Sequence, residues 1–551
     1  MHPEFILFEL TTGKYPNLLN WNRQVKTLLL LFCFFLLSNI TFSQAPTIQW
    51  KKCLGGSDDD VGYTIQESPL GDYFIAGYTS SHNGDVHSNT GNFEHMWLIK
   101  TDFQGNIIWE NSYGGTWGPD KAFNMQLTHD GGAILIGEAN SDDGDVIGIH
   151  GSSSDIWVVK TDSSGNLLWQ KCLGGGGSET GKEIKETKDR GYILIGTTRS
   201  TSGDGDLSFV HFPPDAWAIK LDSVGNILWE KTLGGYDGDY GESVVEGDIN
   251  NFYFATDSQS NDSLLNSNHG GEDVLITKLD ANQNIVWQKC FGGSNGDVPA
   301  KIYFDSNSRL NIGATTGSSD FDIPNFSGAY DAWLFTIDST NLVLSHCFGG
   351  PAYEILRSIS QTSDSGVISC GNSNSSSNGF NCYNTFLSDF YMLKTSSTGI
   401  YQWNICIGGS GHDIAYDAIE TSDGGYIAVG STESTDYDVV GNHGGKDVWV
   451  VKLSPPGVNV PELEAGVSDF TAYENFGGAL QLEFNAELAS ELKLSLFDLT
   501  GRCVLKENFD CIAGMNTHRT PSFSPAPGIY VLTLTDAKGA MVKKVFVNGG
   551  K

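Results

Sequence analysis

The sequence predicts an all-β protein that is built from one repeated unit. Three observations predict it: a lysine-containing motif recurs at a nearly constant spacing, short runs of β-branched and aromatic residues fill each copy, and turn residues separate the runs. Glycine is abundant, with 67 residues among 551, as expected for many short strands that are joined by turns.

The repeat is clearest over residues 155–169, which read Asp-Ile-Trp-Val-Val-Lys-Thr-Asp-Ser-Ser-Gly-Asn-Leu-Leu-Trp. The position of its lysine recurs with spacings of 60, 60, 58, 58, 58 and 58 residues. A period this regular indicates a repeat architecture. The seven copies of the position are Lys100, Lys160, Lys220, Lys278, Thr336, Lys394 and Lys452.

Each unit contains four predicted strands. The first is an alternating segment after a Gly-Gly pair, and the second is an apolar run after an Asp-x-Gly turn, as in residues 192–196. The third carries Trp-x-x-Lys, and the fourth carries Leu-Leu-Trp or a variant of it. Because helical periodicity is absent, four strands per unit at this period predict a seven-bladed β-propeller with four strands per blade.

The two ends of the repeated region predict how the ring closes. The region begins near Trp50 with a fourth strand that no other strands precede, and it ends at Leu453 with a third strand that no fourth strand follows. We therefore expect the N-terminal strand to complete the last blade, which removes exposed strand edges. The propeller is predicted over residues 47–453.

The N-terminal segment predicts export. Arg23 and Lys26 precede an apolar run over residues 28–37, and small polar residues follow, so residues 1–43 are interpreted as a leader and signal peptide that is cleaved near Ser43. No later apolar run is long enough to span a bilayer, so no transmembrane segment is expected. The net charge of −34 disfavours nucleic acid and anionic membranes as partners.

The C-terminal region has a different pattern. Residues 454–468 are rich in Pro, Gly and Glu and are interpreted as a linker, whereas residues 469–551 alternate between polar and apolar positions and predict a small antiparallel β-sandwich. Residues 496–504, 526–531 and 543–547 resemble the C-terminal sorting domain of type IX secretion cargo in Bacteroidota. The resemblance implies contact with the type IX secretion machinery, export through the outer membrane, and surface attachment or release. The alternative is an ordinary immunoglobulin-like module.

The repeats also carry a resemblance, which covers about residues 47–453. The series Gly-Gly-x-x-x-Asp, Asp-x-Gly-Tyr and Asp-x-Trp-x-x-Lys resembles the propeller repeats of secreted bacterial proteins. The piece Asp-x-x-Gly-Asn-x-x-Trp is similar to the tryptophan-docking motif of quinoprotein propellers. Both resemblances imply the fold and leave the function open.

The ten cysteines fall into three groups. Cys33 is removed with the signal peptide. Two local disulfides are plausible in an oxidising compartment, Cys370–Cys382 and Cys503–Cys511, and the sequence leaves both open. Five cysteines occupy one repeat position and are expected to be small buried residues that do not pair with each other; they are Cys53, Cys172, Cys290, Cys347 and Cys406.

A carboxylate follows every Gly-Gly pair by four or five residues, where the chain crosses into the next blade. Seven such groups would form a ring at one mouth of the central channel, where they could bind a ligand or hold Ca²⁺. The alternative is structural, with each carboxylate bonded to backbone N–H groups of its own crossover. The seven residues are Asp60, Asp120, Glu179, Asp239, Asp297, Glu354 and Asp413.

Three other recurrent positions are interpreted as structural. The aspartate that precedes the third strand is expected to cap a turn, the tryptophans of the fourth strand to pack the blades, and the loop histidines to follow the repeat without sharing a metal. The long loops between the second and third strands, such as residues 140–145 and 200–206, are expected on the same face as the crossovers, and we expect ligands to bind there.

The sequence favours a secreted or cell-surface binding or adhesion protein that recognises an extracellular glycan or protein. The blades contain no His-Glu-x-x-His and no phosphate loop, so the prediction is that the protein is not an enzyme. The alternative is a hydrolase that acts on extracellular polysaccharide through carboxylates on the loop face. A structural surface protein without a specific ligand is a third interpretation.

Overall fold

The computed structural model describes residues 45–248, 250–261, 268–376, 382, 387–456, 467–475, 479–486, 489–497, 503–521, 528–535 and 540–547. All regular structure in these residues is β-strand. Within the same residues, no helix has the length and apolarity that a membrane span requires. The predicted signal peptide with Cys33, and residues 457–466 of the predicted linker, lie outside the described residues.

Twenty-eight strands lie between residues 48 and 453, and their runs of β-branched and aromatic residues match the predicted strands. In chain order they are β1 (Ile48–Leu54), β2 (Asp60–Glu67), β3 (Tyr73–Thr79), β4 (His95–Thr101), β5 (Ile107–Tyr113), β6 (Asp120–Leu127), β7 (Ala133–Ala139), β8 (Asp155–Thr161), β9 (Leu167–Leu173), β10 (Glu179–Glu186), β11 (Tyr192–Thr198), β12 (Asp215–Leu221), β13 (Ile227–Leu233), β14 (Asp239–Glu246), β15 (Phe252–Ser258), β16 (Asp273–Leu279), β17 (Ile285–Phe291), β18 (Asp297–Phe304), β19 (Leu310–Thr316), β20 (Asp331–Asp338), β21 (Asn341–Phe348), β22 (Glu354–Gln361), β23 (Val367–Ser373), β24 (Asp389–Thr395), β25 (Tyr401–Ile407), β26 (Asp413–Glu420), β27 (Tyr426–Thr432) and β28 (Asp447–Leu453).

These strands form seven antiparallel sheets of four strands. Six sheets pair four consecutive strands, and the seventh has the order β1-β28-β27-β26. In that sheet Ile48 of β1 lies opposite Leu453 of β28, and the backbone N–H of Ser454 donates to the carbonyl of Thr47 at 2.8 Å. The predicted seven-bladed propeller, closed by its N-terminal strand, is therefore confirmed.

The innermost strands of the seven blades are β2, β6, β10, β14, β18, β22 and β26. Each contacts the innermost strand of the next blade, and β26 contacts β2, which completes the ring around a central channel. Every innermost strand contains a β-bulge at its fourth residue. In the first blade, Gly62 pairs with Gly77 and Thr64 pairs with Ala76, so Tyr63 has no cross-strand partner. A bulge re-aims the side chain of its extra residue.

In five of the seven blades the second-strand motif places a glycine opposite the bulge. A β-carbon at Gly77 would lie 1.8 Å from the carbonyl oxygen of Val61, and one at Gly137 would lie 1.8 Å from that of Lys121. Glycine therefore lets the two backbones approach closely in these blades, whereas Thr256 and Ala314 occupy the position in the other two.

The blades pack through aromatic side chains, as predicted for the fourth-strand tryptophans. Trp169 contacts Tyr192 of the following blade with ring centroids 5.8 Å apart, and Trp50 of the closing strand contacts Tyr73 of the first blade at 6.3 Å. The fourth-strand tryptophans are Trp50, Trp109, Trp169, Trp229, Trp287 and Trp403. The third strands contribute fully buried tryptophans at 97, 157, 217, 333 and 449.

The structure excludes the Cys370–Cys382 disulfide, which the sequence left open. Cys382 is bonded to Cys406, with Cα atoms 5.1 Å apart, and Cys370 is a buried thiol. The reason is the two-residue alternation of side chains along a strand. Cys370 pairs with Met392 of β24, whereas Cys406 pairs with the adjacent Tyr391, so the two cysteines lie on opposite faces of the blade.

The correction also applies to Cys406, which was expected to remain a small unpaired residue like its repeat equivalents. Cys382 lies in the long loop of the sixth blade, on the sheet face that Cys406 occupies. The side chain of Cys503 lies outside the described residues, so the Cys503–Cys511 disulfide stays a prediction.

The C-terminal region forms a separate compact unit of seven strands. They are β29 (Val467–Asn475), β30 (Ala479–Ala486), β31 (Ser490–Phe497), β32 (Cys503–Cys511), β33 (Gly514–Arg519), β34 (Gly528–Thr535) and β35 (Ala540–Val547). One sheet has the order β29-β30-β33 and the other has the order β32-β31-β34-β35. Leu482 of the first sheet shares a buried core with Leu494 and Leu532 of the second, which confirms the predicted β-sandwich.

Candidate binding site in the central channel

The seven carboxylates of the predicted ring each begin an innermost strand, at the crossover between two blades, and all are fully buried. Asp60 shows their common bonding. Its Oδ2 accepts a hydrogen bond from the backbone N–H of Gly56 at 2.7 Å and one from the hydroxyl of Ser81 at 2.8 Å. The second glycine of each Gly-Gly pair donates to the carboxylate of its crossover at 2.6–2.9 Å in all seven junctions.

This is the bonding that the structural interpretation expects. In each ring carboxylate, one oxygen accepts the glycine N–H and is thereby less available as a ligand for Ca²⁺. A ligand-binding role for the ring, with or without Ca²⁺, therefore stays a prediction. It concerns Asp60, Asp120, Glu179, Asp239, Asp297, Glu354 and Asp413.

A second buried carboxylate faces the ring carboxylate across the first glycine of most junctions. A β-carbon at Gly55 would lie 2.5 Å from Oδ2 of Asp60 and 2.9 Å from Oδ1 of Asp447. Asp447 begins β28, and its Oδ2 accepts a hydrogen bond from the backbone N–H of His443 at 3.0 Å. The equivalent residues are Asp155, Asp215, Asp273, Asp331 and Asp389, with His95 in the first copy.

The aspartates that start the third strand thus cap the preceding loop, as predicted. The loop histidines contact these aspartates of their own blade: Nδ1 of His150 lies 2.7 Å from Asp155, and Nδ1 of His269 lies 2.9 Å from Asp273. The other two loop histidines of this kind are His211 and His443.

Burial of two carboxylates at one junction raises the pKa of several of them. The pKa rises to about 6 for Asp60, Asp155, Asp239, Asp297 and Asp331, with loss of hydration as the largest cause in each. Among the described residues, one group of three has metal-like spacing, namely Cys382, Asp389 and Cys406. Its two cysteines form the disulfide, so it offers no thiolate pair to a metal.

The bulged residues of the innermost strands form a second ring, which we call the channel ring. Each lies three residues after a crossover carboxylate, about 10 Å further along the strand. They line a cavity of about 250 Å³ together with neighbouring residues of the same strands. The channel ring consists of Tyr63, Phe123, Lys182, Glu242, Ala300, Arg357 and Tyr416.

Aromatic residues form one side of the channel ring. The ring centroids of Tyr63 and Tyr416 are 4.5 Å apart, and those of Tyr63 and Phe123 are 5.3 Å apart in an edge-to-face arrangement. The guanidinium of Arg357 lies 5.8 Å from the ring centroid of Tyr416. This side therefore presents an apolar surface with a cation at its border.

Charged residues form the other side. Nζ of Lys182 lies 3.3 Å from Oε1 of Glu242. One residue further along the strands, Nζ of Lys301 lies 3.1 Å from Oδ1 of Asp417, which also accepts a hydrogen bond from Ser358 at 2.6 Å. Although burial acts against both charges, their attraction raises the pKa of Lys301 and lowers that of Asp417, so the buried pair stays ionised.

The channel ring was missed by sequence reasoning, although the sequence contains a signal for it. In seven aligned copies the crossover carboxylate is always acidic, while the residue three positions later is aromatic, cationic, acidic or alanine. Alternation along a regular strand does not identify this residue as special, because the bulge that aims it depends on pairing with the second strand.

The loop face carries exposed aromatic residues. Trp117, Tyr236, Phe321 and Tyr437 are between 56% and 70% exposed. The long loops do lie on the face of the crossovers, as predicted: the backbone N–H of Asp145, in the loop after β7, donates to the carbonyl of Gly114 at 3.1 Å. Exposed aromatic side chains are common in recognition surfaces.

Residues 477–548 match the family model described as the secretion system C-terminal sorting domain. The match confirms the resemblance to type IX secretion cargo that residues 496–504, 526–531 and 543–547 carry. The protein is therefore secreted or located on the outer cell surface. No curated protein matches the chain.

The solved structures with a similar fold include several enzymes. One is a polysaccharide lyase described as an ulvan lyase, with 10% identity and a TM-score of 0.39, covering 74% of this chain and 97% of its own. A puromycin hydrolase has 10% identity and a TM-score of 0.40, with coverages of 80% and 62%. Prolyl oligopeptidase B from Galerina marginata has 10% identity and a TM-score of 0.37, with coverages of 81% and 57%.

This finding contradicts the prediction that the protein is not an enzyme, and that prediction is withdrawn. At this level of identity the likeness concerns the fold, and it transfers none of these activities to the chain.

Proposed function

We propose that the protein is an exported propeller that binds an extracellular ligand in its central channel. The observation that carries the proposal is the channel ring. The framework around it repeats in every blade, with the same Gly-Gly crossover, buried carboxylate and bulge. The fold does not require any particular side chain at the bulged position. These seven side chains nevertheless combine aromatic, cationic and acidic groups around one cavity.

The surroundings of the channel support this function. The cavity of about 250 Å³ is near the lower limit of small-molecule sites, which span roughly 300–1,000 Å³, so it fits one ring or the end of a longer ligand. The exposed aromatic residues of the loop face, such as Trp117 and Tyr236, would contact the remainder of such a ligand. Export to the medium or the cell surface makes an extracellular glycan or protein the relevant ligand.

Replacement of Tyr416 by alanine is expected to weaken ligand binding about tenfold or more, because a partly buried aromatic residue at the centre of a site contributes strongly to affinity. The measurement uses the purified protein on glycan and protein arrays, followed by calorimetry with the ligand found. Phe103→Ala is the matched control, since Phe103 is 64% exposed in the turn between β4 and β5, away from the channel ring. Equal binding by both variants, with unchanged thermal unfolding, would place the site elsewhere.

A second candidate function is hydrolysis of an extracellular polysaccharide, and Asp257 favours it. Asp257 lies in β15 opposite Tyr240, is buried, and has no hydrogen-bond partner for Oδ1 among the described residues. Burial, followed by the charges of Glu272 and Glu242, raises its pKa to about 8, so it is protonated at neutral pH. A protonated carboxyl beside a second acidic side chain is the acid–base arrangement of many glycosidases.

Asp257→Asn is expected to lower the rate of hydrolysis about 100-fold or more, because asparagine cannot supply the proton, while ligand binding is retained. New reducing ends, measured with any polysaccharide that the protein binds, provide the readout. Asp237→Asn, which changes an exposed carboxylate of the neighbouring crossover, is the control. If the wild-type protein releases no products from its ligand, this second candidate is removed.

A further inference from the structure

Arg357 differs from the other cations that line the channel. Lys182 is paired with Glu242 at 3.3 Å, and Lys301 is paired with Asp417 at 3.1 Å. Arg357 makes no ion pair with any carboxylate in the part of the chain that the structure describes, and it contacts the face of Tyr416. It is exposed, whereas the other six members of the channel ring are partly buried.

Arg357 thus makes no carboxylate ion pair among the described residues, in a protein that has 66 acidic and 32 basic residues. Its charge is therefore available to a ligand. The planar guanidinium binds carboxylate and sulfate groups through two parallel hydrogen bonds, and stacking against an aromatic ring orients it for that contact. The ligand group that fits Arg357 is an anion.

The neighbouring residues add two further requirements. Tyr63, Tyr416 and Phe123 offer apolar surface beside Arg357, and burial raises the pKa of Tyr63, so its hydroxyl stays protonated. Across the cavity, the Lys182–Glu242 pair has hydrogen-bond donors and acceptors that remain partly exposed. The small side chain of Ala300 leaves the ring open between Glu242 and Arg357.

We propose that the channel site binds an acidic saccharide unit, a sugar ring that carries a carboxylate or sulfate group; this rests on the proposed function of the channel. The anionic group binds Arg357, the apolar face of the sugar packs on the tyrosines, and its hydroxyls bind the Lys182–Glu242 pair. One acidic sugar supplies all three features within the size of a cavity of about 250 Å³. In an acidic peptide the same features are spread over several residues, which this volume does not hold.

Calorimetry with the full protein tests the proposal. The probes are oligosaccharides of glucuronic acid, sulfated oligosaccharides, neutral oligosaccharides of the same length, and an acidic peptide. We expect one acidic saccharide class to bind about tenfold or more tightly than the neutral one, and Arg357→Gln to remove that preference with a loss of about 10–100-fold. Arg357→Lys is expected to restore part of it. Arg190→Gln, which changes an arginine of the turn between β10 and β11, is the control.

The outcomes separate the two proposals. Equal affinity for neutral and acidic saccharides, an unchanged affinity in Arg357→Gln, or selective binding of the acidic peptide overturns the acidic-saccharide proposal. In each case binding that still depends on Tyr416 leaves the proposed channel function intact. Binding that depends on neither Arg357 nor Tyr416 overturns both.

Discussion

Asp239→Ala is expected to destabilise the propeller by about 3–5 kcal/mol at neutral pH. Asp239 is fully buried and accepts hydrogen bonds from the backbone N–H of Gly235 at 2.7 Å and the hydroxyl of Ser260 at 2.9 Å, and also from Ser258. Alanine would leave these donors buried without partners, and each such group costs about 1–3 kcal/mol. Urea unfolding, followed by tryptophan fluorescence, measures the change.

Asp237→Ala is the matched control, because it removes an exposed carboxylate from the same crossover and is expected to change stability by less than about 0.5 kcal/mol. If Asp239→Ala unfolds at the same urea concentration as the wild type, the structural interpretation of the carboxylate ring is wrong. Calorimetric binding of Ca²⁺ by the wild type, and its loss in Asp239→Ala, would then support the ring as a cation site.

The stability of the propeller is expected to fall as the pH rises from about 4 to about 7. Five junction carboxyls have a pKa of about 6 in the folded protein, raised chiefly by burial, whereas an unfolded aspartate titrates near 3.9. The folded state therefore binds more protons in this interval. The stabilisation is fully present below about pH 4 and is lost as the pH rises through about 6. A shift of about 2 pKa units corresponds to roughly 3 kcal/mol for each group.

A different set of carboxyls limits stability at lower pH. Although burial acts in the opposite direction, hydrogen bonds from Thr128 and Gly132 and the charge of Lys160 lower the pKa of Asp130 to about 2. The stabilisation from that group is present above about pH 4 and is lost as the pH falls towards 2. The two sets together place maximum stability near pH 4.

Urea midpoints at several pH values measure this pH dependence of stability. The same series at high salt is the control for repulsion among exposed charges, because salt screens exposed charges more than buried ones. Asp239→Asn, which cannot ionise, is expected to flatten the curve, and Asp237→Asn is expected to leave it unchanged. Stability that rises between about pH 4 and pH 7 contradicts the prediction. Such a rise would mean that a bound cation stabilises the ionised junction carboxylates. Urea midpoints measured with added Ca²⁺ and with a chelator would reveal that cation.

The repeat explains how much of the fold the sequence predicts. Because the unit recurs seven times, its strands and turns can be identified from seven independent copies. An irregular copy, such as the one with Thr336, therefore does not change the assignment. The closing strand near Trp50 follows from counting, because an antiparallel strand needs a partner for its backbone groups. The C-terminal sandwich follows from clean alternation around residues such as Leu482 and Leu494, since one face of each strand is buried.

The candidate site is predicted less well, for a physical reason. The crossover carboxylates are visible in the sequence because they recur, and they recur because every blade junction needs the same hydrogen bonds to its Gly-Gly backbone. A ligand site in a repeat protein is formed by the residues that differ between copies. Sequence comparison within the chain therefore finds the framework first.

The sequence by itself determined seven blades, the closing strand, the burial of recurrent aromatic residues and the export domain, because each depends on patterns that are local or repeated. Only the tertiary structure decided which side chains enter the channel, which cysteine pairs with Cys382, and that Arg357 lacks a carboxylate partner among the described residues. Each of these depends on a geometric relation between strands: a bulge that turns Arg357 inwards, the face of the sheet that Cys406 shares, and the distance from Lys182 to Glu242. Side chains of residues far apart in the chain meet only once the ring has closed.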